Sequence, residues 1–219
     1  MVDIFDEVDE ELREERMQEF LKKYGGLIFA AALLVIGAVA GWKAWGWYEQ
    51  RRDMEAAALY LAASARTQAA GVAGPNRAAA IAAFQAVAAN APNGYRDLAR
   101  LREAALRADS GDLQGASALW DQVAADSSVD PLLRDLASLT WCFYHADKDD
   151  PGLLEARLKP LAAPGNAWRS LALEQLALLE LRQGHTDAAR TQLKKLSEDT
   201  TAPRGVRGRA NAMLARIGE

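Results

Sequence analysis

The sequence predicts an all-α protein in which one N-terminal transmembrane helix is followed by a solenoid of helical hairpins and a C-terminal capping helix. Three observations predict this fold class. Residues 24–42 form a run of nineteen residues without a charge. Beyond that run, apolar residues recur every three and four positions in a sequence rich in strong helix formers, and no stretch shows the alternation typical of a strand. An apolar triad also recurs along the chain at nearly constant intervals.

The uncharged run over residues 24–42 has the length of a membrane-spanning helix. At a rise of about 1.5 Å per residue, the run spans about 28 Å, close to the roughly 30 Å of the hydrocarbon layer. Cations and aromatic residues lie at both ends, as interfacial side chains do. These flanking residues are Lys22, Lys23, Lys43, Trp45, Trp47, Tyr48, Arg51 and Arg52. We therefore expect a signal-anchor helix over residues 24–48.

A cleaved signal peptide is the alternative interpretation of the same run. Residues 27–37 could form its apolar region, and Ala38-Val39-Ala40 fits a small-x-small cleavage site. The acidic residues that precede the run argue against cleavage, as does the tryptophan cluster, which would lose its membrane after cleavage. A mature chain that starts at Gly41 would identify the signal peptide.

Charge and length set the expected orientation. The tail over residues 1–23 carries nine acids and four bases, a net charge of −5. Four cations precede the span and three follow it within the window that the positive-inside rule counts. A tail this short stays where it is made more easily than it crosses. We expect residues 1–23 in the cytoplasm and residues 49–219 in the periplasm, anchored in the inner membrane of a bacterium.

The composition of the remaining chain excludes several classes of protein. Residues 24–219 carry 22 bases and 21 acids, so there is no basic field to attract nucleic acid. The single cysteine, Cys142, excludes an internal disulfide and a zinc site built on cysteines. It lies in the apolar stretch over residues 139–144, which predicts a buried thiol. We expect no cofactor.

The repeat is clearest in the second helix of each predicted pair. An apolar triad at positions i, i+4 and i+7 occurs four times, and its first members lie 36, 38 and 35 residues apart. These intervals bracket the 34-residue tetratricopeptide period. The triads are Ala80/Phe84/Val87, Ala116/Trp120/Val123, Leu154/Leu158/Leu161 and Ala189/Leu193/Leu196. We predict about four tetratricopeptide-like helix pairs and a capping helix over residues 204–217.

Glycine and alanine mark the turn and the closest helix contact in two of the pairs. Gly111 and Gly184 each lie five residues before a small residue, Ala116 and Ala189. A glycine can adopt positive φ and end the first helix in a tight turn, and an alanine lets two helix backbones approach. A single hairpin leaves an apolar face exposed, so the pairs are expected to stack. The predicted repeat-packing residues are Gly111, Ala116, Trp120, Gly184, Ala189 and Leu193.

Glycine, proline and polar clusters predict the helix boundaries. The first hairpin is expected to use a helix from about Asp53 to Ala70, a loop over residues 71–76 and a helix that ends at Asn90. Further breaks are predicted at residues 91–94, 127–130, 147–151, 163–166 and 200–203.

Small residues form a narrow stripe on the predicted membrane helix. Gly26, Ala30, Gly37 and Gly41 lie within about 60° of one another, at about 100° per residue. The last two glycines have the GxxxG spacing of helix-packing faces. This face could dock another membrane helix, including that of a second copy of this chain. The alternative is that glycine and alanine are simply common in such spans.

The sequence shows no catalytic constellation. Cys142 and His145 have the spacing of a metal pair or of a nucleophile and its base, but two ligands do not make a zinc site. We expect a packed cysteine beside a surface histidine, and a solvated turn residue at His185. The chain is therefore predicted to be non-enzymatic. An uncharacterised hydrolase is the remote alternative, because residues distant in sequence could converge.

Several motifs occur in the order of a known family. They are the short acidic tail, Gly41-Trp42-Lys-Ala-Trp45, Asn93-Gly94-Tyr95, Pro164-Gly-Asn-Ala-Trp168 and Gly184-His-Thr-Asp-Ala-Ala189-Arg190. In this order and spacing, the chain resembles the YfgM-type ancillary subunits of the bacterial Sec translocon. It departs from the family pattern at His185, where aspartate is usual, and in the loop over residues 71–77.

The resemblance implies a set of partners and no catalytic activity. The implied partners are the SecYEG translocon, a membrane-anchored periplasmic chaperone of the prolyl-isomerase type, and exported polypeptides. Helical solenoids bind polypeptides along a concave surface, and the first helices of the pairs usually line it. The candidates for this groove are Arg96, Arg100, Arg169 and Glu174. An envelope-assembly scaffold that uses the same groove is the alternative function.

Overall fold

The computed structural model describes residues 4–69 and 75–218, and this part of the chain contains α-helices and no β-strand. The predicted all-α class is confirmed. The helices are α1 (Ile4–Ala69), α2 (Pro75–Asn90), α3 (Asn93–Asp109), α4 (Leu113–Ala125), α5 (Pro131–His145), α6 (Pro151–Leu161), α7 (Arg169–Arg182), α8 (Thr186–Glu198) and α9 (Arg204–Ile217). The chain divides into two units, Met1–Arg52 and Asp53–Glu219.

In the first unit, the apolar side chains that the structure describes are exposed. Leu34 and Trp42 in α1 are 76% and 79% exposed. The segment Lys22–Thr67 is long and apolar enough to cross a membrane by length and composition. At the two ends of the uncharged run, cations lie over aromatic rings: Lys23 over Tyr24 at 5.5 Å and Arg51 over Trp47 at 5.0 Å. Such pairs suit an interface between lipid and water.

The helix that carries the uncharged run continues into the first hairpin. The boundaries predicted from the sequence did not include this continuation. The predicted separate helix from Asp53 to Ala70 is instead the last part of α1, which ends at Ala69. Residues 49–52 are Glu-Gln-Arg-Arg, all strong helix formers, so no local signal ends the helix there. In the predicted 71–76 loop, α2 already begins at Pro75, and residues 70–74 lie outside the described residues, as do tail residues 1–3.

The second unit is a stack of helix pairs with a core built from the predicted triads. Every member of the four triads is buried, with at most 3% of its surface exposed. The pairs are the last part of α1 with α2, then α3 with α4, α5 with α6 and α7 with α8; α9 packs on α8 and α7. The predicted capping helix is confirmed, with Val206 and Ala210 buried and Met213, Leu214 and Ile217 packed against the same core.

Turn chemistry explains where the helices begin and end. Gly111 and Gly184 have φ of 92° and 80°, the left-handed region that favours glycine, and each follows the first helix of a pair. Asp112 caps α4 by accepting a hydrogen bond from Gly115 N at 2.9 Å. Aspartates also cap α5 and α6 ahead of a proline at the first helical position. The break predicted at residues 91–94 is shorter than expected, because α3 already begins at Asn93.

Hydrogen bonds between neighbouring pairs recur at the spacing of one repeat. Arg157 Nη2 donates to Asp121 Oδ1 at 2.8 Å, and Trp168 Nε1 donates to the Leu132 carbonyl oxygen at 2.9 Å, each across 36 residues. Arg182 donates to the carbonyl oxygen of Ala146, also across 36 residues. These bonds join the third pair to the second and the fourth pair to the third, as expected of a solenoid in which repeats contact their neighbours.

Candidate protein-binding groove

An apolar groove lies along the helices α5, α7 and α9. Its volume is about 670 Å³, within the range of about 300 to 1,000 Å³ typical of binding pockets. Its lining residues are Leu136, Leu139, Thr140, Phe143, Leu171, Glu174, Gln175, Leu178, Arg209, Ala212, Met213 and Arg216. Two of the three helices, α5 and α7, are the first helices of their pairs.

The apolar lining of the groove is left over after the core has formed. On α5, Ala137 and Cys142 are buried in the core, whereas Phe143 is 61% exposed. On α7, Ala172 is buried, whereas Leu178 is 37% exposed. A large exposed aromatic beside further apolar side chains marks an interaction surface more than a single exposed leucine does. Phe143 and Leu178 were not predictable from the sequence, because periodicity cannot separate a groove position from the edge of a core stripe.

Glu174 joins α7 to α9 at the wall of the groove. The side chain is buried, with 3% of the residue exposed, and its two oxygens accept hydrogen bonds from Nε and Nη2 of Arg209, each at 2.6 Å. This bidentate arrangement holds the guanidinium in its charged form and raises the pKa of Arg209 above its ordinary value. The predicted groove candidate Glu174 is therefore in the lining but already paired, and it fixes the capping helix.

The other three groove candidates lie outside the lining of this groove. Arg96 and Arg100 both approach Asp97 Oδ1, at 3.7 Å each, and Arg169 lies 3.6 Å from Asp199. Asp97 is only 2% exposed, and burial raises its pKa despite the two arginines. The structure thus brings Arg96 and Arg100 together and separates them from Glu174 and Arg169. A role in partner binding stays a prediction for these residues.

The predicted repeat-packing residues lie at buried positions or in turns. Ala116, Ala189 and Leu193 have no exposed surface, and Trp120 is 1% exposed. The two glycines of the set end first helices at positive φ, as described above. The small-residue stripe of the predicted membrane helix is not packed against other atoms in this structure. An added Cβ at Gly26, Gly37 or Gly41 would meet no atom within 4 Å. That stripe remains a predicted packing face, Ala30 included.

Ser117, His145 and Asp149 converge in a hydrogen-bonded chain that the sequence did not reveal. Ser117 Oγ lies 2.7 Å from His145 Nε2, and His145 Nδ1 lies 2.6 Å from Asp149 Oδ2. The imidazole also stacks on Trp141, with ring centroids 3.9 Å apart. The expectation of a surface histidine was wrong here, since the side chain of His145 is 12% exposed. Besides Trp141 of the same helix, the imidazole contacts Ser117 of α4, and spacing within α5 gives no sign of that second contact.

The same chain of contacts resembles the order of groups in a hydrolytic triad, but its geometry suits a structural link. The Ser117 hydroxyl donates to the Leu113 carbonyl oxygen at 2.7 Å, so its oxygen accepts from the imidazole instead of giving up a proton to it. Ser117 also lies inside α4, where neighbouring backbone N–H groups bond within the helix and cannot stabilise an oxyanion. The cluster therefore joins α4 to α5 and the turn after it.

The thiol predicted to be buried is buried, and no metal site accompanies it. Cys142 has no exposed surface, and burial raises the pKa of its thiol to about 11. Among the side chains that the structure describes, those of residues 22–27, 29–67 and 76–218, no three from His, Cys, Asp or Glu are placed to hold a metal ion. His185 is an exposed turn residue, as expected, with Nδ1 2.8 Å from Glu180 Oε2.

Comparison with known proteins identifies the family. Residues 18–150 match the tetratricopeptide repeat-like domain, which is more than half of the chain. Searches of curated proteins and of solved structures found no significant match. The family match agrees with the helix pairs, the positive-φ glycines and the buried triads. The chain therefore belongs to the tetratricopeptide repeat-like domain family.

Proposed function

We propose that this chain is a membrane-anchored, non-enzymatic interaction protein of YfgM type, associated with the bacterial Sec translocon. Tetratricopeptide repeat-like domains generally mediate protein–protein interactions. The observation that supports the proposal is that one chain combines an exposed apolar helix long enough to cross a membrane with a repeat scaffold that carries an open apolar groove. Such a chain holds a protein-binding surface beside a membrane.

In the proposed arrangement, residues 1–23 are cytoplasmic, residues 24–48 span the inner membrane once, and residues 49–219 form the periplasmic repeat domain. The repeats recruit a membrane-anchored periplasmic chaperone of the prolyl-isomerase type to the SecYEG channel, where exported polypeptides emerge. The small-residue stripe on the span packs against another membrane helix, of the channel or of a second copy. The chain contributes binding and positioning, and its partners contribute any chemistry.

The partners can be tested by affinity purification of the tagged full chain from gently solubilised bacterial membranes. Recovery of channel subunits together with a periplasmic folding factor would support the proposal. Recovery of an unrelated envelope machine would favour the assembly-scaffold alternative. A Phe143→Ser variant, which removes a groove side chain, and a Leu153→Ser variant, which removes a comparably exposed apolar side chain outside the groove lining, form a matched pair. Loss of partners in the first variant alone would assign binding to the groove.

The topology can be tested with single-cysteine variants in a Cys142→Ser background. Leu153→Cys places a thiol at an exposed position of the repeat domain, and Gln18→Cys places one in the tail. We expect a membrane-impermeant maleimide to label the first variant in intact spheroplasts and the second only after lysis. The reverse pattern would invert the orientation. Release of the repeat domain by carbonate, or a mature chain that begins at Gly41, would contradict the anchor.

A further inference from the structure

The charges around the groove are unequal. Glu174 and Arg209 neutralise each other through two hydrogen bonds of 2.6 Å. Arg216, the other charged residue of the lining, has no ion-pair partner among the residues that the structure describes. The two charged residues of the lining that come from α9 are both arginines, and one of them is uncompensated. A complementary occupant therefore carries a carboxylate toward the end of the groove that Arg216 lines.

The lining also limits the backbone conformation of an occupant. Thr140 and Gln175 are the uncharged polar side chains in a lining that is otherwise apolar apart from the three charged residues. An extended peptide would need partners for its backbone N–H and C=O groups, which this surface supplies poorly. A helix satisfies those groups internally and presents apolar side chains at i, i+3, i+4 and i+7. The groove chemistry thus favours a helical occupant.

We infer that this groove binds a short amphipathic helix of a partner protein, with the apolar face of the helix on Leu139, Phe143 and Leu178 and a carboxylate beside that face paired with Arg216. The inference rests on the proposed function, because it specifies what the protein-binding surface recognises. Phe143 provides most of the contact area, since it is the most exposed large apolar side chain in the lining. Arg216 selects the charge and the direction of the bound helix.

The inference can be tested with synthetic helices and the full chain in phosphatidylcholine nanodiscs, with empty nanodiscs as the blank. The first probe is a fluorescent alanine- and glutamine-based helix with leucines at i, i+3, i+4 and i+7 and one glutamate beside that stripe. The second probe has lysine in place of the glutamate, and the third has a central pair of prolines that prevents helix formation. Fluorescence anisotropy measures binding. We expect the glutamate probe to bind about fivefold more tightly than the lysine probe, and the proline probe not to bind.

Matched variants of the chain assign the contacts. Phe143→Ser is expected to weaken binding of the glutamate probe about tenfold or more, while Leu153→Ser leaves it unchanged. Arg216→Gln is expected to weaken it about threefold to fivefold and to abolish the preference for glutamate over lysine, whereas Arg216→Lys retains the preference. Arg204→Gln, at the start of the same helix and outside the groove lining, serves as the charge control.

Several results would overturn the inference. Equal affinity for the glutamate and lysine probes would contradict the pairing of a carboxylate with Arg216. Equal affinity for the glutamate and proline probes would contradict a helical occupant. Unchanged affinity of the Phe143→Ser variant for the glutamate probe would show that the helix does not bind in this groove. Failure here is separable from failure of the proposed function: probe binding without recovery of channel subunits would contradict only the translocon assignment, and recovery of channel subunits without probe binding would contradict only the helix-binding groove.

Discussion

The two glycines that end the first helices of their pairs allow a test in which one substitution has opposite signs at different sites. Gly111 and Gly184 have φ of 92° and 80°, and an added Cβ at either position would meet no atom within 4 Å. Replacement by alanine therefore creates no clash with neighbouring groups. The cost comes from the backbone conformation, about 1 to 2 kcal/mol for an L-residue in the left-handed region.

Part of that cost is offset in the unfolded state. Alanine reduces the conformational freedom of the unfolded chain, which contributes about 0.4 to 1 kcal/mol in favour of folding. We therefore expect a net loss of about 1 kcal/mol in the free energy of unfolding for Gly111→Ala and again for Gly184→Ala. Because the two glycines follow the first helices of two different pairs, the losses are expected to add in the double variant. Asparagine at either site is expected to lose less, since it tolerates the left-handed region.

Gly208 provides the matched control. It lies inside α9 with no neighbouring atom within 4 Å of an added Cβ, and its φ is not positive. Gly208→Ala is expected to increase the free energy of unfolding by about 0.5 to 1 kcal/mol, because alanine is the better helix former. Urea unfolding of the full chain in detergent, followed by far-ultraviolet circular dichroism, measures all variants. A stability of Gly111→Ala equal to that of the native chain would refute the reasoning, as would a loss in Gly208→Ala.

Three further predictions concern the core. Ala116→Leu is expected to lower the free energy of unfolding by about 1 to 3 kcal/mol through overpacking. The control Ala118→Leu, on the exposed side of α4, is expected to change it by less than about 0.5 kcal/mol. Equal effects of the two substitutions would show that Ala116 does not lie at a close helix contact. Asp97→Asn is expected to be more stable than the native chain at pH 7, because burial raises the pKa of Asp97 and the native carboxylate is ionised there. This difference in stability is expected to shrink as the pH falls through the raised folded-state pKa toward 3.8, since the native carboxylate then becomes protonated. A difference that grows in acid would contradict the raised pKa. Cys142 is expected to react with a maleimide at pH 8 only in urea, and rapid labelling of the folded chain would contradict its burial.

The features that were predictable from the sequence are those that repeat or that act locally. The triads were predictable because the same positions of the second helix are buried in each pair. One repeated pattern therefore identifies the core residues of all four pairs. Gly111 and Gly184 were found because a tight turn after a helix requires a residue that tolerates positive φ. Gly165, with φ of 87°, lies four residues beyond the end of α6, in the turn before α7, and the sequence indicated only that it falls within a break.

The features that were not predictable depend on contacts between elements. Ser117 and His145 lie 28 residues apart, and Glu174 and Arg209 lie 35 apart, so no spacing within one helix indicates that they meet. The groove has the same origin, because the exposure of Phe143 depends on how closely α5, α7 and α9 approach. The continuation of α1 past Asp53 was missed for a local reason, since charged residues between two apolar segments suggest a boundary and also form helix well.

The bonds that recur every 36 residues suggest how this chain loses its structure. The third and fourth helix pairs are each attached to the pair before them, and the capping helix depends on Glu174 and on a bond from Arg190 to the Ile217 carbonyl oxygen. Under mild denaturant, we expect α9, which packs on α7 and α8, to open before the layers that have a helix pair on each side. The layer around Trp120 and Trp141, with neighbours on both sides, opens last, so amide protons there exchange most slowly.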